Sequence, residues 1–129
     1  MMKKALTLLL VTTALTILTA CGPDPVQRSE SGELAAGDTT HPADGSFYDE
    51  YSFRAKEGWL ITVTMTSTAV QPYVQLRIKD RGDEYLQESS AGTVTATAPE
   101  SAEYIVWANS MSAGETGAYT VNISAQPTQ

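Results

Sequence analysis

Only one side chain in this 129-residue chain is a histidine, His41, set between Thr40 and Pro42. A hydrolytic triad needs that base within hydrogen-bond reach of a nucleophile, and no serine lies on a strained Gly-x-Ser-x-Gly elbow. Structural zinc asks for four nitrogen or sulfur ligands, and the chain offers one histidine and one cysteine, Cys21. Carboxylates are the abundant chemistry, with 15 Asp and Glu against 8 Lys and Arg. Composition therefore leaves a glycosidase-type carboxylate pair open, while no strand spacing selects one. The single cysteine rules out a disulfide within the chain, so packing alone must hold the fold. These residues predict a non-catalytic chain with no catalytic residue and no cofactor.

The elements that position these groups read as strands. From Phe47 onward apolar and polar residues alternate with period two, which sends successive side chains to opposite faces. Tyr51, Phe53 and Ala55 share a face with Phe47, against Tyr48, Glu50, Ser52 and Arg54. Ile61, Val63 and Met65 alternate with threonines. After Pro72, the residues Val74, Leu76 and Ile78 face inward, and Tyr73, Gln75, Arg77 and Lys79 face outward. Asp80-Arg81-Gly82-Asp83 reads as a hairpin turn, and Tyr85 and Leu86 open a short return strand. Val94, Ala96 and Ala98 oppose three threonines. Tyr104, Val106 and Ala108 alternate with Ile105, Trp107 and Asn109, and Tyr119, Val121 and Ile123 complete the inner set. About seven to eight short strands separated by turn signals predict an all-β fold, an antiparallel β-sandwich.

Ahead of this domain, Lys3 and Lys4 form a basic start, Ala5 to Ile17 an apolar stretch, and Leu18-Thr19-Ala20 precede Cys21. The segment resembles a bacterial lipoprotein signal peptide. The resemblance implies removal of residues 1–20 and acylation of Cys21, with palmitate-type chains anchoring the mature protein to a membrane. Stable anchoring takes more than one chain at about 0.8 kcal/mol per buried methylene. The apolar run is too short and too interrupted by threonines for the ~20 residues of a spanning helix. Gly22 stands where an aspartate would hold a lipoprotein at the inner membrane, so the expected location is the cell envelope, at the outer membrane. Without Lys3 and Lys4, 6 basic residues face 15 acidic ones, a net charge of −9 that opposes nucleic acid as a partner. Residues 21–40, rich in Pro, Gly, Ser, Asp and Glu, read as a flexible tether with a candidate first edge strand at 32–35. The sandwich is expected over 41–125 and a disordered tail over 126–129.

With the strands placed, residues 32–124 resemble the bacterial pre-peptidase C-terminal domain. The resemblance rests on Gly32-Glu33-Leu34 with Gly37-Asp38, on Asp49-Glu50-Tyr51-Ser52-Phe53, and on Gly58 followed by Ile61-Thr62-Val63-Thr64-Met65. It continues through Gln71-Pro72-Tyr73-Val74, Ala102-Glu103-Tyr104-Ile105-Val106 and Gly114-Glu115-Thr116-Gly117-Ala118-Tyr119-Thr120-Val121. It implies a freestanding, jelly-roll-like sandwich that binds or positions. Relatives in collagenases bind collagen and calcium, which directs attention to Asp80, Asp83, Glu84 and Glu88, and to Asp38, Asp44, Asp49 and Glu50. Calcium needs six to eight oxygen ligands converging on one place. The loop after the hairpin reads Gln87-Glu88-Ser89-Ser90 where the family is often aspartate-rich, so these carboxylates are expected as solvated turn residues and the metal set as none.

Binding is then the expected activity. Trp107 and Ile105 lie on the outward parity of their strand, and Tyr48 and Tyr73 are outward on theirs. Aromatic side chains on a sheet face are suited to stacking against peptide or sugar. The loop from Asn109 to Gly117 is the candidate cover for Trp107. Trp107, Ile105, Tyr73 and Tyr48 form the expected binding surface, with a protein or polysaccharide as ligand; an envelope spacer without a ligand is the alternative.

Overall fold

Threonine, valine and isoleucine in short alternating runs favour strands, and the computed structural model contains eight of them. It describes residues 22–128. The strands are β1 (Val26–Leu34), β2 (Tyr48–Ala55), β3 (Leu60–Thr66), β4 (Pro72–Ile78), β5 (Gln87–Ser89), β6 (Thr93–Thr97), β7 (Ala102–Ser110) and β8 (Gly117–Gln126). They form two antiparallel four-stranded sheets, ordered β1-β8-β3-β6 and β2-β7-β4-β5. Successive strands cross between the sheets except at β4–β5, which is the winding of a jelly roll.

The core is the set of inward side chains at alternate positions. Ile61, Val63 and Met65 of β3 and Tyr119, Val121, Ile123 and Ala125 of β8 face Val74 and Leu76 of β4 and Tyr104, Val106 and Ala108 of β7. Leu34, Phe53, Ala55, Trp59, Val70, Val94 and Ala98 close the ends. Fully burying an aliphatic or aromatic side chain contributes about 1.5–3 kcal/mol, so this layer outweighs any single surface contact.

β1 contains most of the candidate edge strand expected at 32–35 and extends it back to Val26, through residues that the sequence reading assigns to the tether. It pairs with β8 over nine residues, from Val26 opposite Ala125 to Leu34 opposite Gly117. The apolar alternation that marks the other strands is missing because the half-buried positions Arg28, Glu30 and Gly32 look toward the seam between sheets rather than its apolar centre. Arg28 there donates to the Ser52 carbonyl (2.6 Å) and pairs with Glu30 (3.0 Å). At the other end Gln126, assigned to a tail, is the last residue of β8, and its side chain donates to the Val26 carbonyl (2.8 Å). Among the described residues the sandwich therefore runs from 26 to 126. The Lys79–Leu86 connection is longer than a tight hairpin: Asp80 and Gly82 both adopt positive φ (63° and 64°), and pairing resumes only at Gln87.

Candidate functional site

In the second sheet β7 lies between β2 and β4, and its residues alternate between core and exterior. Tyr104, Val106 and Ala108 are fully buried in the core, which sends Ile105, Trp107 and Asn109 outward. The register sets Trp107 opposite Glu50 and Gln75, Ile105 opposite Ser52 and Arg77, and Asn109 opposite Tyr48 and Tyr73. Tyr48, Tyr73, Ile105 and Trp107 thus share the outer face of one sheet, and each is half-buried.

Trp107 is the hub of that face. The Tyr48 ring stacks on it with centroids 4.1 Å apart and 20° between planes. From the opposite flanking strand, Arg77 places Cζ 3.6 Å from the ring centroid, within cation–π range. The indole N–H donates to Glu50 Oε2 (3.1 Å), which anchors its edge. The fourth neighbour is His41, 5.5 Å away and at right angles. It comes from the β1–β2 connection, so that segment makes a contact over Trp107.

The same connection buries polar groups that parity alone would leave in water. Its loop closes on itself through His41 N–H to the Ser46 carbonyl (2.7 Å), Gly45 N–H to the His41 carbonyl (2.8 Å) and the Ser46 amide and hydroxyl to Asp44 Oδ1 (2.9 and 2.6 Å). His41 is consequently 9% exposed, where the sequence placed it at the domain's edge. Beneath and beside it, Gln75 is 3% and Arg77 7% exposed, and Asn109 is fully covered. A second, polar layer therefore sits on the outside of the sheet.

Its hydrogen bonds run from cation to anion through an amide. Arg77 Nε and Nη2 both donate to Gln75 Oε1 (3.2 and 2.9 Å), and Nη1 reaches the Gly82 carbonyl at 3.4 Å. Gln75 Nε2 donates to Glu88 Oε2 (3.2 Å) and to the Tyr73 hydroxyl (3.3 Å), which itself donates to Glu88. The Tyr73 hydroxyl holds the Glu88 carboxyl below its usual range, and burial together with Glu88 raises Tyr73. Among the described residues no carboxylate pairs with Arg77. His41 Nε2 and both side-chain polar atoms of Asn109 are buried without a hydrogen-bond partner there. Next to the stack opens a cleft of about 370 Å³ lined by His41, Pro42, Ala43, Gln75, Arg77, Asp83 and Tyr85. A larger hollow of about 420 Å³ over Ser31, Gly32, Ser67, Ala118 and Tyr119 carries no charged lining residue.

Sequence reasoning found the four aromatic and aliphatic members of this face and missed the burial of His41, Gln75 and Arg77. The outward parity of Gln75 and Arg77 was readable, but their cover comes from two irregular connections with no period. His41 Nδ1 accepts the Ala43 N–H (3.1 Å), and no hydroxyl meets its Nε2. Among the described residues no three His, Cys, Asp or Glu side chains are grouped to hold a metal ion. Asp38 accepts the Ala35 N–H (2.9 Å) and Asp49 the Tyr119 hydroxyl (2.6 Å). Cys21 lies outside the described residues.

No family model matches the chain, and no curated protein matches it. Among solved structures it resembles Aeromonas hydrophila PliG, a periplasmic inhibitor of g-type lysozyme, at 18% identity and a TM-score of 0.59, over 81% of this chain and 89% of that one. Salmonella Typhimurium PliG, also a periplasmic inhibitor of g-type lysozyme, matches at 19% identity and a TM-score of 0.53, over 78% and 87%. The pre-peptidase C-terminal domain of a collagenase from Bacillus anthracis matches at 15% identity and a TM-score of 0.56, over 76% and 89%. The eight-stranded sandwich described here is the fold of the pre-peptidase C-terminal domain, shared with the PliG inhibitors.

Proposed function

We propose that the chain is a lipid-anchored, non-catalytic module of the bacterial envelope that recognises a protein through the outer face of the β2-β7-β4-β5 sheet. The observation that carries this reading is the Tyr48–Trp107–Arg77 stack, a rigid aromatic and cationic platform beside a cleft. Tryptophan, tyrosine and arginine are the residues most enriched where proteins bind one another tightly. An analogy at the level of the fold points the same way, since the PliG proteins that share this sandwich are inhibitors of g-type lysozyme. Cys21 supplies the anchor and outer-membrane attachment, and no catalytic group is required.

Isolation of the chain with its bound proteins from gently solubilised envelopes tests the proposal. The parental chain is expected to incorporate palmitate and retain a stoichiometric protein. Ile105→Lys, which sets a charge on the face but leaves the stack intact, is expected to lose that protein, and Cys21→Ser to lose the lipid. A chain that keeps the same companions with Ile105→Lys, or holds none, overturns recognition through this face and favours the spacer.

A further inference from the structure

The buried guanidinium of Arg77 lacks the partner that such a group ordinarily requires. Leaving a charge out of water without a counter-charge is costly, and the usual remedy is a carboxylate at hydrogen-bond distance. Here the position is taken by the neutral amide of Gln75, which holds Arg77 on one side and Glu88 on the other. Of the five N–H donors of an arginine, three are engaged, and the bond to Gly82 is long at 3.4 Å. Two donors remain, and the planar group is immobilised over Trp107.

His41 lines the same cleft. Its Nδ1 accepts the Ala43 N–H and lies 3.8 Å from Asp44 Oδ1, and its Nε2 is buried and unpartnered. We propose that the cleft beside Trp107 is a carboxylate-binding subsite, in which Arg77, with His41 lining the cleft beside it, receives an acidic group of a protein partner. The proposal rests on the protein-recognition reading given above. Asp83 lines the same cleft and favours a singly charged planar carboxylate over a doubly charged phosphate. The carboxylate is that of an Asp or Glu side chain or of a chain terminus, both of which present the same two oxygens.

An NMR titration of residues 22–129, read at the Arg77 Nε–H and Trp107 indole N–H, separates these sources. The probes are acetyl-Gly-Glu-Gly-amide for the side chain, acetyl-Gly-Gly-Gly with a free terminus for the chain end, and acetyl-Gly-Gln-Gly-amide as the neutral control. At least one acidic peptide is expected to give a saturable shift in the millimolar range, and the Gln peptide none. The paired substitution Gln75→Glu/Glu88→Gln conserves net charge but gives Arg77 an internal carboxylate, so it is expected to abolish the shift in a folded domain. Asp83→Asn removes a like charge at an exposed position and is expected to tighten binding about two- to threefold, which decides the matter if the paired variant does not fold. No saturable shift with either acid, an equal shift with the Gln peptide, or a response to glucuronic acid alone overturns the subsite. A carboxylate response in a chain that retains no protein overturns the proposed function and leaves the subsite standing; a retained protein with no carboxylate response does the reverse.

Discussion

At the scale of single residues, the tightest constraint is a polar bridge between the sheets. The Tyr119 hydroxyl donates to Asp49 Oδ2 at 2.6 Å and accepts from Tyr51 at 2.5 Å. Gly32 lies opposite Tyr119, and a methyl group there would collide with both hydroxyls. Gly32→Ala is expected to destabilise the domain by about 1–3 kcal/mol, measured by denaturant unfolding, as overpacking does in a filled site. Burial raises the Asp49 carboxyl above its ordinary range; the Tyr119 hydroxyl opposes the shift and the Asp38 carboxylate adds to it. A carboxyl with a raised folded pKa binds its proton more tightly in the folded chain, so its ionised form costs stability at neutral pH and the cost is relieved as pH falls. Asp49→Asn keeps an acceptor for Tyr119 and removes the charge. Its gain in melting temperature over the parent is expected at about pH 7 and to shrink toward about pH 4; a pH-independent difference contradicts the assignment. The sequence placed Tyr51 and Tyr119 inward but gave no sign that their hydroxyls meet, because that contact joins residues 68 positions apart.

At the scale of elements, legibility followed periodicity. β2, β3, β4, β6, β7 and β8 alternate apolar and polar residues because one face of each meets the core, and all could be read to within a few residues. β1 was legible only at its end, where the candidate edge strand at 32–35 overlaps it, since only Val26 and Leu34 among its inner positions are bulky and apolar; its order comes from backbone pairing with β8, which propensity does not encode. Removing it would strip Leu34 from the core and leave β8 as an open edge. A chain beginning at residue 41 is therefore expected to show no cooperative thermal transition, whereas one beginning at residue 22 melts as a single unit. Equal melting of the two would refute the role given to β1. The cover of the candidate site was hidden for the related reason that the Ala35–Phe47 and Lys79–Leu86 connections have no repeating pattern, although the outward parity of the residues beneath them was plain.

At the scale of the whole molecule, the two ends of the sandwich differ in what they carry. The start of β1 lies at the end where β8 finishes, while the β1–β2 connection that carries His41 leaves from the other end. Only Gly22 to Pro25 separate Cys21 from β1, a reach of about 14 Å. An acylated Cys21 would thus hold the end where β1 starts near the lipid and present the opposite end, from which the His41 loop leaves, away from it. The central claim concerns the outer face of β2-β7-β4-β5, and photo-cross-linking in intact cells addresses it most directly. A photoreactive side chain at Ile105 is compared with one at Thr95, which is exposed on the opposite sheet. The account predicts a discrete protein adduct from position 105 and none from position 95. The same adducts from both positions, or none from position 105, would contradict it.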